Sequence, residues 1–206
     1  MTELPEFILA SKSPRRRELL EQAGYRFRVV PPMLSEPPLM APHSSPAQVA
    51  EALAYFKACS VVARAPGQVV LGADTIVSCG DKIFGKAADA AEARSMLAAI
   101  AGTRHAVTTG LALVTPPSRR RGKPPQRHLA SDTTYVTMRP LSDGEIDRYI
   151  ASGEWKDKAG AYAIQETADE FIDHLDGSFT NVVGLPMDLL ARLLAVVSRE
   201  SAQSTE

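Results

Sequence analysis

Residues 7–10, Phe-Ile-Leu-Ala, are apolar and uncharged, and the chain passes from them directly into Ser-Lys-Ser-Pro-Arg-Arg-Arg and then into helical spacing at Leu19, Leu20 and Ala23. No other segment constrains the fold as tightly, because this change of hydrophobic period admits a strand, a turn and a helix in that order. Ser13 is placed to cap the helix, Pro14 suits its first position, and Gly24 suits its end. Residues 27–30 then read as a second strand.

Six prolines between positions 31 and 46 oppose regular pairing, so an extended loop is expected there, and it carries one acid of note, Glu36. Ser45-Pro46 opens a second helix to about Ala63, with Val49, Leu53 and Phe56 as its core stripe and Lys57 as the anomaly near its middle. Residues 68–79 are strongly β-like, and Gly80-Asp81 turns them back into 82–84 as a hairpin. Asp89 caps a helix that carries Ala93, Met96, Leu97 and Ile100 inward and stops at Gly102. Residues 106–114 and 129–138 form a long hairpin with a basic tip. Ser142 and Glu145 have capping-box spacing for a helix through Ile150, closed by Gly153. Residues 155–165 read as irregular and then strand-like, 170–175 as a short strand and 185–197 as a terminal helix, with a frayed tail after Arg199. Strands, helices and hairpins in this mixture predict an α/β fold with a mixed twisted sheet and flanking helices.

Length and composition bound the rest. At 206 residues, 45% of them hydrophobic, and without internal repeats or a linker, residues 1–206 are expected to form one domain around a sizeable core. Lys plus Arg number 23 against 24 Asp plus Glu, so a net charge of -1 offers no global field for nucleic acid or anionic lipid. Any polyanion site must be local. Cys59 and Cys79 make no disulfide framework, nothing in the first thirty residues resembles a signal peptide, and the apolar stretch near the C-terminus is broken by Asp188 and Arg192. A cytoplasmic protein with no membrane span is expected.

The first strand–helix junction is the strongest chemical signal. A helix N-terminus offers backbone N–H groups and positive partial charge, and here Ser11, Ser13, Arg15, Arg16 and Arg17 crowd the same turn. Hydroxyl, amide and guanidinium donors in one volume suit phosphoryl oxygens. The blander reading is a Ser-Pro cap with surface arginines, although cations at the positive end of a helix cost stability unless an anion sits there. Asp74, within Val-Val-Leu-Gly-Ala-Asp-Thr-Ile-Val, is either a metal ligand or general base facing a cleft, or a structural carboxylate held by local partners. Glu36 reads as a solvated loop acid or a ligand. Lys57, Lys86 and Lys158 either snorkel to water or aim at phosphate. No P-loop, dinucleotide or serine-hydrolase signature is present, and His43, His105, His128 and His174 lack metal-ligand spacing. The basic stretch with Arg119, Arg120, Arg121, Lys123 and Arg127 lacks interleaved aromatics, so it reads as a solvated loop and no nucleic-acid partner is expected.

Five blocks in order, Ser-Lys-Ser-Pro-Arg-Arg at 11–16, Gly-Ala-Asp-Thr-Ile-Val at 72–77, Gly-Lys at 85–86, Asp-Lys-Ala-Gly-Ala-Tyr-Ala-Ile-Gln at 157–165 and Asn-Val-Val-Gly-Leu-Pro at 181–186, together resemble the Maf family of nucleotide pyrophosphatases. The likeness covers about residues 7–194. It implies a fold like that of the inosine triphosphate pyrophosphatases, two lobes around a cleft, and hydrolysis of a nucleoside triphosphate to monophosphate and pyrophosphate. A divalent cation, Mg²⁺ or Mn²⁺, and a homodimer are implied with it. On the matching positions, Ser11, Ser13, Arg15 and Arg16 resemble the family's phosphate-binding turn and Asp74 its proton acceptor. Glu36, Lys57 and Lys86 match the groups around triphosphate and metal, with Asp74 and Glu36 as metal ligands, and Lys158 joins the substrate-binding set. Arg16, Thr75 and Gln165 resemble the subgroup acting on dTTP and UTP. The alternative function is a non-catalytic nucleotide-binding regulator of cell division or septum formation. Three departures stand out: Ala87 where the family commonly has proline, acids at Glu166, Asp169 and Glu170 in place of a glycine-rich stretch, and the basic insertion at 116–127.

Overall fold

A computed structural model of the chain describes residues 6–33, 44–117, 125–165 and 167–202. The opening strand β1 (Phe7–Ala10) is buried throughout and lies between two parallel neighbours, β2 (Phe27–Val29) and β3 (Val69–Cys79). Its side chains alternate between two cores. Phe7 and Leu9 pack with Leu71, Leu111 and the last helix, whereas Ile8 and Ala10 pack with Val70, Ala112 and Ala54 and Ala58 of α2 (Pro46–Val62). A strand covered on both faces can be apolar at every position, as the run at 7–10 is.

Past β3 the sheet becomes antiparallel. β4 (Lys82–Phe84) folds back on the end of β3, and β5 (Arg104–Thr115), β6 (Gln126–Met138) and β7 (Ile172–Asp176) complete the order β2-β1-β3-β5-β6-β7, with β4 beside β3. This is the expected mixed α/β sheet. Its far half carries a third core, in which α3 (Ala90–Ile100) and α4 (Asp143–Ser152) cover Val77, Val107 and Met138. Helix α1 (Pro14–Gln22) and α6 (Met187–Ala202) lie with the first half, and the short α5 (Phe179–Val183) is held against β5 and β6.

Two glycines set the distance between α2 and the sheet. A Cβ added at Gly72 of β3 would lie 2.0 Å from the Ala54 carbonyl oxygen, and one at Gly110 of β5 would lie 2.3 Å from the Ala50 carbonyl carbon. Helix and sheet therefore meet backbone to backbone, and only small side chains fit between them. This corrects the expected stripe: the buried face of α2 is Ala50, Leu53, Ala54, Lys57, Ala58 and Val61, while Val49 and Phe56 are only partly covered.

Other expectations need revision. Residues 155–165 form turns instead of ending in a strand, with a single bridge from Ala159 to Lys86, because Asp157, Gly160 and Ala161 all adopt positive φ. The chain enters the last helix through α5, which the apolar pattern did not announce, and α6 continues past Arg199 to Ala202 instead of fraying there. Glu36, His43, and Arg119, Arg120, Arg121 and Lys123 of the hairpin tip lie outside the described residues.

The α4 capping box forms as expected. Ser142 N donates to Glu145 Oε2 at 2.8 Å, Ser142 Oγ donates to the same oxygen at 2.6 Å, and Arg139 Nη2 donates to Oε1 at 2.8 Å. The Ser142 hydroxyl, then its amide, then Arg139 hold the Glu145 carboxyl down to about 2 from an ordinary 4.5. A carboxylate depressed in the folded state contributes stability above its unfolded pKa and loses it as pH falls toward the folded one. Glu145→Gln should therefore flatten the decline of urea midpoints between pH 4.5 and about 2; an unchanged slope would contradict this assignment.

Candidate active site

The parallel register of β1 with β3 ends at Ala10 opposite Gly72, and β4 joins β3 only from Val77. The turn that leaves β1 thus stands beside the uncovered middle of β3, at Asp74 and Thr75. Crevices at the carboxyl ends of parallel strands arise in this way. Here the result is a cleft of about 1110 Å³.

Every site residue expected from the sequence lines this cleft except Glu36, which is outside the described residues. Ser11, Ser13, Arg15 and Arg16 come from the β1–α1 turn, Lys57 from α2, Asp74 and Thr75 from β3, Lys86 from the segment after β4, and Lys158 and Gln165 from the turns that follow α4. Lys86 and Lys158 are brought together by the bridge between Lys86 and Ala159 and by Gly160 N donating to Gly85 O at 2.9 Å. Gly160 is required there: its φ is +65°, and a Cβ would lie 2.8 Å from Val77 Cγ2. Among charged side chains, Lys12, Arg15, Arg16, Lys57, Lys86, Lys156 and Lys158 line the cleft against Asp74, Glu92 and Asp157. A chain of net charge -1 thus places seven cations against three acids on one concave surface, which focuses a field suited to a polyanion.

Asp74 and Lys57 form a buried ion pair through Oδ1 and Nζ, with side chains 7% and 8% exposed. Asp74 lines the cleft and has a structural partner as well. Lys57 does not snorkel. The close approach at Gly72 brings its helix near enough for the ammonium to fix the carboxylate's orientation.

The three arginines separate. Arg17 turns outward and pairs with Glu21 at 3.5 Å, which removes it from the proposed cluster. Arg15 lines the cleft. Arg16 is buried, and its guanidinium donates from Nε to Gly184 O at 2.7 Å, from Nη1 to Ser11 Oγ at 3.3 Å and from Nη2 to Thr75 Oγ1 at 3.1 Å. Ser11 Oγ also accepts from Ser13 N at 3.2 Å. With two donors directed at its oxygen, the Ser11 hydroxyl has its proton left to donate outward, the polarity a phosphoryl oxygen needs. Ser13 stands at the N-cap position, but its hydroxyl makes no capping hydrogen bond.

Sequence reasoning missed two groups at the cleft. Tyr162 lines it, and its hydroxyl lies 2.8 Å from Nε2 of the buried His105, with the rings edge to face. Burial lowers His105 to about 4 and raises the Tyr162 phenol well above its usual range, so this pair is uncharged at neutral pH. His105 lacks metal-ligand spacing, and nothing in sequence pairs it with a tyrosine 57 positions away. The second group, Thr109 and Asn181, lies beneath Thr75 and is taken up below.

No group of three or more His, Cys, Asp or Glu side chains that could hold a metal occurs among the described residues. No helix among them is long and apolar enough to cross a membrane.

The dTTP/UTP pyrophosphatase of Cereibacter sphaeroides is 47% identical over 91% of this chain and 93% of its own. That of Symbiobacterium thermophilum is 44% identical over 93% of each, and that of Pelotomaculum thermopropionicum 42% identical over 93% of this chain and 96% of its own. Among solved structures, a HAM1 protein from Coxiella burnetii is similar with a TM-score of 0.47 and 16% identity, over 94% of this chain and 98% of that one. The profile described as Maf-like protein matches residues 6–197, and with it the chain belongs to the Maf family.

Proposed function

We propose that this protein hydrolyses dTTP and UTP to the monophosphate and pyrophosphate. One observation carries the reading: the Ser11–Arg16 turn and Asp74 share a single cation-lined cleft. The relatives named dTTP/UTP pyrophosphatase, 42–47% identical over more than nine-tenths of the chain, support the substrate. A non-catalytic regulatory role gains nothing from relatives named for catalysis.

In this reading Ser11, Ser13 and Arg15, with Lys86 and Lys158 opposite, hold the triphosphate, and Gln165 and Thr75 face the remainder of the nucleotide. Asp74, oriented by Lys57, accepts a hydrogen bond from the attacking water and takes its proton as the oxygen closes on the α-phosphorus. The bond to the bridging oxygen breaks on the opposite side. Pyrophosphate leaves against the lysines and the turn, which have already compensated its charge. The donor set fits a hard divalent cation better than a softer one, since a buried carboxylate without imidazole or thiolate company suits Mg²⁺ or Mn²⁺ shared with substrate phosphates. Asp74, with Glu36, would hold such a cation, which when bound supplies Lewis-acid neutralisation of phosphoryl charge. We place the reaction in the cytoplasm, in keeping with Cys59 and Cys79 as free thiols.

The test is a nucleotide panel with Mg²⁺ or Mn²⁺, read by pyrophosphate release. dTTP and UTP should be turned over with the highest kcat/KM. Release of orthophosphate in place of pyrophosphate, or no turnover of any nucleotide, would remove the proposal.

A further inference from the structure

Five residues distant in sequence close a ring of hydrogen bonds beneath the cleft. Arg16 Nη2 donates to Thr75 Oγ1 at 3.1 Å, Thr75 Oγ1 lies 2.9 Å from Thr109 Oγ1, and Thr109 Oγ1 donates to the Asn181 carbonyl at 2.9 Å. Gly184 N donates to the same carbonyl at 3.0 Å, and the Gly184 carbonyl accepts Arg16 Nε at 2.7 Å. Thr109 and Asn181 are fully buried. Because a guanidinium only donates and the Thr109 proton is committed to Asn181 O, the Thr75 hydroxyl must give its own proton to Thr109. The ring has one polarity.

Asn181 is itself fixed. Its Nδ2 donates to Val107 O at 2.9 Å and to Thr134 Oγ1 at 3.0 Å, which anchors α5 to β5 and β6 and points the Asn181 carbonyl at Thr109. At Gly184, with φ +116°, a Cβ would lie 3.2 Å from Thr75 Oγ1 and 3.6 Å from Arg16 Nε, so the ring closes against bare backbone.

We propose that Thr109 and Asn181 are positioning residues for the phosphate-binding turn: they fix Arg16 through Thr75 and Gly184, and Arg16 in turn holds the Ser11 hydroxyl with its proton toward the substrate. The proposal rests on the function given above, which makes that turn the triphosphate's seat. Neither residue touches substrate. With valine at 109, volume is kept but the Thr75 proton loses its acceptor and the Asn181 carbonyl one of its two donors, and the Thr75 hydroxyl is free to turn its proton against Arg16 Nη2. Serine completes the same ring.

The experiment compares wild type, Thr109→Val and Thr109→Ser by calorimetric titration with inorganic pyrophosphate and by steady-state hydrolysis of UTP. Thr109→Val should weaken pyrophosphate binding about tenfold, the size expected when the hydrogen bond that orients the Thr75 hydroxyl is lost, and raise KM for UTP by a similar factor. It should leave kcat within about threefold, and Thr109→Ser should restore both constants to near wild type. Should the valine variant not fold, Thr109→Ala takes its place against Thr109→Ser with the same outcomes. Wild-type affinity in the variant lacking the hydroxyl, or a serine variant as weak as it, overturns the proposal. Wild-type protein that binds pyrophosphate but hydrolyses no UTP would overturn the activity while leaving the affinity contrast to judge the ring; wild type that hydrolyses UTP but binds no pyrophosphate overturns the ring's role and leaves the activity standing.

Discussion

Asp74→Asn is expected to lower kcat for dTTP and UTP about a thousandfold, the loss that removal of a positioned general base commonly causes. The amide keeps the shape of the side chain but neither accepts the water's proton nor presents an anionic oxygen to a cation. Loss of activity alone would be ambiguous, because Asp74 is also the partner of Lys57 in a pair with both side chains less than a tenth exposed. Removing one member of such a pair costs about 3–5 kcal/mol, since the other charge is left uncompensated in a poor solvent for it. Two effects are thus expected from one substitution, and a double variant separates them. Adding Lys57→Met to Asp74→Asn removes the stranded ammonium, so its urea midpoint should exceed that of Asp74→Asn while hydrolysis remains lost. Activity of Asp74→Asn within tenfold of wild type would remove Asp74 from the chemistry, and a double variant no more stable than the single one would contradict the pairing argument.

Gly72→Ala should lower stability by more than about 3 kcal/mol, beyond the usual range for overpacking because the clash is with backbone. The added carbon would lie 2.0 Å from Ala54 O and 2.9 Å from Ala58 N, both backbone atoms of α2. No rotamer change relieves such a contact; the helix must move as a body. Lys57 travels with it, so the protein that still folds should lose hydrolysis as well. Gly144→Ala supplies the control. That glycine is inside α4 and meets nothing closer than Arg148 Nη1 at 3.8 Å, so the same added methyl should stabilise the chain by about 0.5–1 kcal/mol through helix propensity. Opposite signs from one chemical change would show that contact with α2, and not the glycine replacement itself, decides the outcome. A Gly72→Ala protein as stable as wild type would contradict the backbone-to-backbone packing.

What could be read in the sequence divides along the reach of the forces involved. The β1–α1 opening, the Asp89 and Ser142 caps and the β3–β4 hairpin were legible because their determinants lie within a few residues of one another. The face of α2 was not. Its small residues answer to glycines at positions 72 and 110, so apolar bulk at Val49 and Phe56 misled the periodicity. The strand expected late in residues 155–165 failed because positive φ at Asp157, Gly160 and Ala161 breaks the extended backbone, and nothing in the alanine at 161, which is fully buried, announces it.

The site shows the same division. Ser11, Arg15, Asp74, Lys86, Lys158 and Gln165 were found from composition and blockwise resemblance, and they share the cleft. That Arg17 leaves the cluster while Arg16 is buried depends on which side of α1 meets Gly184, a contact spanning 168 positions. Thr109 reads in sequence as one more β-forming threonine, and Asn181 sat inside a recognised block with no role. Only the hydrogen-bond ring connects them to Arg16.

The central claim is that the turn after β1 and the carboxylate of Asp74 act on one triphosphate. A crystal structure with the non-hydrolysable analogue of UTP bearing an imido group between its α- and β-phosphorus atoms, in the presence of Mn²⁺, tests it most directly. The account predicts the β- and γ-phosphates against Ser11 and Arg15 and the α-phosphorus beside Asp74. A nucleotide seated elsewhere, or one whose α-phosphorus lies away from Asp74, would contradict it.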